Sequence, residues 1–140
     1  MTVVIDTNVM LTARAVRHRN YLLLRALLAG QFELAASTAI MLEYQEIIAA
    51  RASAEEWRNL SDFFDVIAEL RGNLRHVEPS FHFHLITADP DDDKFADCAI
   101  AAEADWIITE DAHFDALRGS AHKPQPVTPG EFIARHLGAA

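Results

Sequence analysis

At 140 residues, 51% of them hydrophobic and one a cysteine, the chain is long enough to bury a core as one domain, 1–140, without disulfides or a cysteine-based zinc site. No apolar run approaches the roughly 18 residues of a membrane span, and the opening MTVVIDTNVM lacks a basic stretch leading into an apolar one. A secretory or membrane route is therefore not expected, and a cytoplasmic location is. The net charge of −9 is local: residues 89–115 carry ten acids and one base, Lys94, while the rest of the chain balances eleven acids against eleven bases.

In chain order, TVVI (2–5) reads as a buried strand ending at Asp6. A helical stretch follows from about Asn8, and a second, YLLLRALLAG, closes on Gly30. FELAAS (32–37) reads as a strand, and STAIMLEYQEIIAAR (37–51) as a helix capped by Ser37 or Thr38. Ser53 and Glu56 form a capping box for a long helix ending at Gly72. LRHVEPSFHFHLIT (74–87) is mostly extended, and after the turn-like ADPDDD comes the helix KFADCAIAAEA. WIIT (106–109) is a strand, DAHFDALRG a short helix, PVT (126–128) a short strand, and Thr128-Pro129 opens a last helix. Short β-branched runs alternating with helices predict an α/β domain with a central parallel sheet of four or five short strands covered on both faces.

In such sheets, sites form at the carboxyl ends of strands. Asp6 follows the first strand directly, and Glu110 and Asp111 follow WIIT, so these acids are expected in one crevice. Either one taken alone reads better as a helix cap. Asp93 and Asp97 lie one turn apart on the Ala-rich helix, with Ala96 and Ile100 marking its buried side. Like charges on one face are destabilising unless something positive lies between them, and a hard divalent cation with oxygen ligands fits that need. Cys98, among alanines, reads as a small buried apolar residue.

These blocks together resemble the PIN-domain family, and within it the stand-alone toxins of toxin–antitoxin pairs (VapC-like). The residues that carry the likeness are Val-Ile-Asp-Thr-Asn-Val (4–9), Ser37 to Glu43, Asp89-Pro-Asp-Asp-Asp-Lys-Phe (89–95), Trp-Ile-Ile-Thr-Glu-Asp (106–111) and Val-Thr-Pro-Gly-Glu-Phe (127–132). The resemblance implies a three-layer α/β/α sandwich and a metal-dependent ribonuclease whose catalytic and metal-binding acids are Asp6, Glu43, Asp93 and Asp111. Among the three consecutive aspartates Asp93 is chosen because it opens the helix and lies fourteen residues before Ile107. Asp97 corresponds to an auxiliary metal ligand, and Asn8 and Thr109 to polar residues that orient the carboxylates. Thr38 stands where proline is common, and Glu110 where a small residue is. The implied cofactor is Mg²⁺ or Mn²⁺, and the implied partners are RNA, a small antitoxin protein and a second copy of the chain.

Other features read more simply. His82 and His84 alternate in FHFH, a spacing seen in zinc sites, but no third soft ligand is near and the reading is phenylalanines inward, histidines outward. Arg14, Arg17 and Arg19 form the one basic density, either an ordinary helix end or a grip on RNA phosphates. Trp57, Phe63 and Phe64 fall at helical spacing and read as core or dimer surface. An aspartate-based phosphohydrolase would need a second Asp where Asn8 stands, and in a receiver-type signalling domain Lys94 and Lys123 would be poorly placed. A PIN fold that binds a partner without catalysis is the remaining rival.

Overall fold

The computed structural model describes residues 1–81, 93–119 and 122–138. His82, Phe83 and His84 of the FHFH segment, and the acids Asp89, Asp91 and Asp92, lie outside these residues, while Phe81, expected to face inward, is 71% exposed. Five strands, β1 (Thr2–Ile5), β2 (Glu33–Ala36), β3 (Leu74–His76), β4 (Trp106–Ile108) and β5 (Gln125–Val127), form one sheet in the order β3-β2-β1-β4-β5. Every pairing is parallel. This is the predicted α/β architecture, at the larger of the two expected strand counts.

Val3, Val4 and Ile5 are all fully buried. Successive strand residues face opposite sides, so a run of three buried side chains requires cover on both faces. The cover comes from helices α1 (Thr7–Ala13), α2 (Tyr21–Leu28), α3 (Thr38–Arg51), α4 (Ala54–Val66), α5 (Asp93–Ala101) and α6 (Pro129–His136). The starts of α3, α4 and α6 are set by side-chain caps. Ser37 accepts from the Ile40 amide, Ser53 from that of Glu56 and Thr128 from that of Glu131. Ser37 rather than Thr38 is thus the cap of α3. No helix among the described residues is long and apolar enough to cross a membrane.

The helix expected to run unbroken to Gly72 instead widens into a π-type turn over Ile67–Arg71. Ile67 stays fully buried there while Leu70 is 77% exposed. Trp57 and Phe63 pack their rings against buried Phe64, which also meets Tyr44. Phe64 is core, and Trp57 and Phe63 are half-buried against it. Cys98 is also core: it is fully buried, and burial pushes its thiol up to about 12.

Strand order places the site. From β1 the chain goes to β2 on one side, and β4 lies on the other, so the carboxyl ends of β1 and β4 flank the point where the winding reverses. Ile5 is level with Ile108. The residues that follow them, Asp6 and Thr109 to Asp111, are therefore delivered to one place by backbone register alone.

The chain enters β4 through a tight reversal after α5. The Glu103 amide donates to the Ile100 carbonyl (3.0 Å) and that of Ala104 to the Ala99 carbonyl (2.8 Å). The same pair of bonds closes α2, where the left-handed position is Gly30; here it is Glu103, with φ 54°. A side chain in that conformation costs about 1 kcal/mol or more. Glu103→Gly is accordingly expected to stabilise the fold by up to about 1 kcal/mol, read as a higher urea midpoint with unchanged slope. A lower midpoint would show that the Glu103 side chain contributes contacts worth more than the strain.

Candidate active site

Asp6 extends β1 by one ladder bond, its amide donating to the Ile108 carbonyl (3.0 Å), and then caps α1. The residue is 5% exposed. One oxygen accepts from the Thr7 amide (2.7 Å), and the other accepts from the Thr109 hydroxyl (2.8 Å). Thr109, itself buried, also accepts from the Asp111 amide (2.9 Å), so one hydroxyl links the ends of β1 and β4. Burial pushes the Asp6 carboxyl above the usual carboxylate range. The Thr109 and Thr7 hydrogen bonds pull it back in part, and the charges of Asp111 and Glu43 raise it again.

Glu43 comes from the middle of α3. One of its oxygens accepts from the Thr7 hydroxyl, and the other lies 2.6 Å from the Lys94 ammonium. The neighbouring Tyr44 is fully buried and donates its phenol to the Ile5 carbonyl, which pins α3 to the end of β1. Burial, then the charge of Asp6, pushes that phenol well above its ordinary range, so it stays a donor.

Of the adjacent acids after β4, Glu110 is exposed and Asp111 is the one whose charge reaches Asp6. The Asp111 carboxylate accepts from the His113 amide (2.9 Å) and lies 3.2 Å from His113 Nδ1, capping the 3₁₀ turn Ala112–Leu117. Capping does not keep them apart: Asp6 and Asp111 each start a helical turn and still lie close enough for their charges to interact.

Asp93 opens α5 and is partly exposed, while Asp97, one turn on, is 2% exposed. The buried side of α5 is broader than the Ala96 and Ile100 stripe suggested. Phe95 through Ala99 are all buried, and Ile100 only partly. Asn8 is exposed, and the polar side chain that reaches Glu43 is Thr7 instead. Among the basic residues, Arg14 pairs with Glu56 (3.4 Å), Arg17 is exposed, and the Arg19 guanidinium lies against Gly130 at the start of α6.

Three participants escaped sequence reasoning: Thr7, Tyr44 and Lys94. Thr7 sits inside the quoted Asp-Thr-Asn block, and Lys94 is the one base among the acids of 89–115, which was the available signal. Among the described residues no three of His, Cys, Asp and Glu meet at a single point. The donor set is nonetheless carboxylate oxygen, suited to a hard divalent cation. The ammonium of Lys94 already lies on one of them, Glu43. By that chemistry Asp6, Glu43 and Asp111 fit a cation.

A carboxyl whose folded pKa is raised lends stability that is complete below its unfolded value, about 3.9, and lost as pH rises through the folded value. Asp6→Asn removes that loss. In metal-free protein it is expected to raise the melting temperature at pH 7, with the advantage shrinking as pH falls through the raised Asp6 value toward 4. An unchanged or lowered melting temperature at pH 7 would mean that the hydrogen bonds to Asp6 outweigh its dehydration.

The PIN-domain family model matches residues 2–113, a span that contains Asp6, Glu43, Asp93 and Asp111. No curated protein matches the sequence. The fold is similar to a chain in the crystal structure of VapBC2 from Rickettsia felis bound to a DNA fragment from their promoter. The TM-score is 0.61 at 18% identity, over 91% of this chain and 98% of that one. At that identity the likeness concerns the fold alone, and it agrees with the family match over most of the sequence. The chain belongs to the PIN-domain family.

Proposed function

We propose that the chain is a metal-dependent endoribonuclease that hydrolyses RNA phosphodiester bonds, acting in the cytoplasm as the toxin of a toxin–antitoxin pair. The observation that carries this reading is the Thr109 hydroxyl joining the Asp6 carboxylate to the Asp111 amide at the point where the sheet reverses its winding. Membership of the PIN-domain family supports it, as does a fold neighbour taken from a VapBC2 assembly. The partners in this reading are RNA, a small antitoxin protein and a second copy of the chain.

Asp6, Glu43, Asp93 and Asp111, with Asp97 as auxiliary, would hold Mg²⁺ or Mn²⁺. The chemistry such an ion supplies when bound is activation of water and neutralisation of phosphoryl charge. The chain's own residues prepare for it. The Thr109 hydroxyl and Thr7 amide orient the two Asp6 oxygens, and Thr7 and Lys94 orient those of Glu43. Arg17 and Arg19, with Arg14 partly neutralised by Glu56, are the residues assigned to RNA phosphates, because a protein of net charge −9 needs a local cationic grip.

A second reading, a binding module without catalysis, draws on the absence of a three-acid meeting point among the described residues. RNA cleavage by pure protein separates the two. Cleavage is expected with Mg²⁺ or Mn²⁺, to be abolished by EDTA, and to fall by orders of magnitude in Asp93→Asn with the fold intact. Near-normal cleavage in Asp93→Asn with loss in Asp92→Asn would move the third acid by one residue. No cleavage under any metal would favour the binding module.

A further inference from the structure

Lys94 is the second residue of α5, in the first turn of the helix. A cation there meets the positive end of the helix dipole, an unfavourable place for an ammonium with no compensating charge. The compensation is Glu43, 2.6 Å away, with the two side chains 27% and 21% exposed. The other Glu43 oxygen is held by Thr7. Each oxygen of the one candidate ligand from α3 is therefore already engaged, and one of them by a full positive charge.

We propose that Lys94 is a built-in counter-ion for Glu43, competing with the divalent cation for that carboxylate. The inference rests on the reading that these acids hold a hard cation. Two positive centres on one carboxylate oxygen repel each other, so a dication that takes Glu43 must push the ammonium aside. Without metal, Lys94 limits the charge around Asp6 and keeps Glu43 aimed at the crevice. With metal, the cation takes over that neutralising role and Lys94 swings away. The ion pair thereby sets a threshold: the site fills only at cation concentrations high enough to displace its own lysine. Lys94 is a positioning residue in this scheme, acting through Glu43.

The test measures Mn²⁺ affinity by calorimetry at pH 7, with metal-free melting curves for each protein. Lys94→Met keeps the length of the stem and removes the charge. Lys94→Gln serves if the methionine variant does not fold. The expected result is Mn²⁺ binding about fivefold tighter than in wild type, the scale of one partly exposed ion pair, and a lower metal-free melting temperature. Lys94→Arg should bind as wild type does. In a Glu43→Gln background, Lys94→Met should no longer lower the metal-free melting temperature. Unchanged Mn²⁺ affinity in Lys94→Met would overturn the inference while leaving the metal site standing. So would a tightening that vanishes in about 0.5 M KCl, because a long-range field is screened there and a contact much less so. If wild type binds no Mn²⁺ at all, the metal site itself fails and the competition falls with it.

Discussion

A carboxylate buried at the end of a central strand has to be given donors, and the region around Asp6 is organised by that need. Its two oxygens take a backbone amide from α1 and a hydroxyl from the end of β4. Those bonds offset dehydration only in part, since the net displacement of its pKa is upward. The residual cost is of the kind that functional sites carry and structural ones shed. Other features follow from fixing Asp6 there. Thr109 must be buried and aimed inward, which presents Asp111 to the same crevice through its amide. Tyr44 must carry its phenol to the Ile5 carbonyl, which holds α3 close enough for Glu43 to be felt at Asp6.

Charge is then managed by segregation. The acids that reach the crevice come from three separate elements, and the cation that meets them is Lys94 on Glu43. Elsewhere the acids of the same segment have ordinary duties. Asp105 receives the Thr2 amide and the Lys123 ammonium, which holds it below the usual carboxylate range. Asp115 pairs with Arg118. The excess of acids between 89 and 115 is therefore not one surface with one purpose, and only some of its members belong to the crevice.

β1 and β4 were legible because they are short apolar runs of β-branched residues, and β1, β2 and β5 because capping chemistry follows each, whereas β3, Leu-Arg-His, has neither signal. Ser37, Ser53, Thr128 and Gly30 all do what their types imply. The placement of Asp6 and Asp111 just after strands was legible too, and parallel register makes those two strand ends level. Helix 55–72 was less so: its apolar spacing could not announce the wider turn at Ile67–Arg71, which is a hydrogen-bonding choice and leaves no side-chain signature. Thr7 and Asn8 show a similar limit, because both are small polar residues after Asp6 and only the helix phase decides which reaches Glu43. Lys94 was visible as an isolated base, but its partner lies 51 residues away on another helix, a contact no local pattern encodes.

If Asp6 and its acidic neighbours form a site for a hard divalent cation, thermal melting at matched ionic strength will report it. A cation that binds only the folded site contributes roughly 2.7 kcal/mol at a hundred times its dissociation constant. Saturating Mn²⁺ at pH 7 should therefore raise the melting temperature well beyond a monovalent salt of equal ionic strength, and the difference should largely disappear in Asp6→Asn. Equal shifts from Mn²⁺ and the monovalent salt would show that the acids respond to screening alone and that the crevice holds no metal.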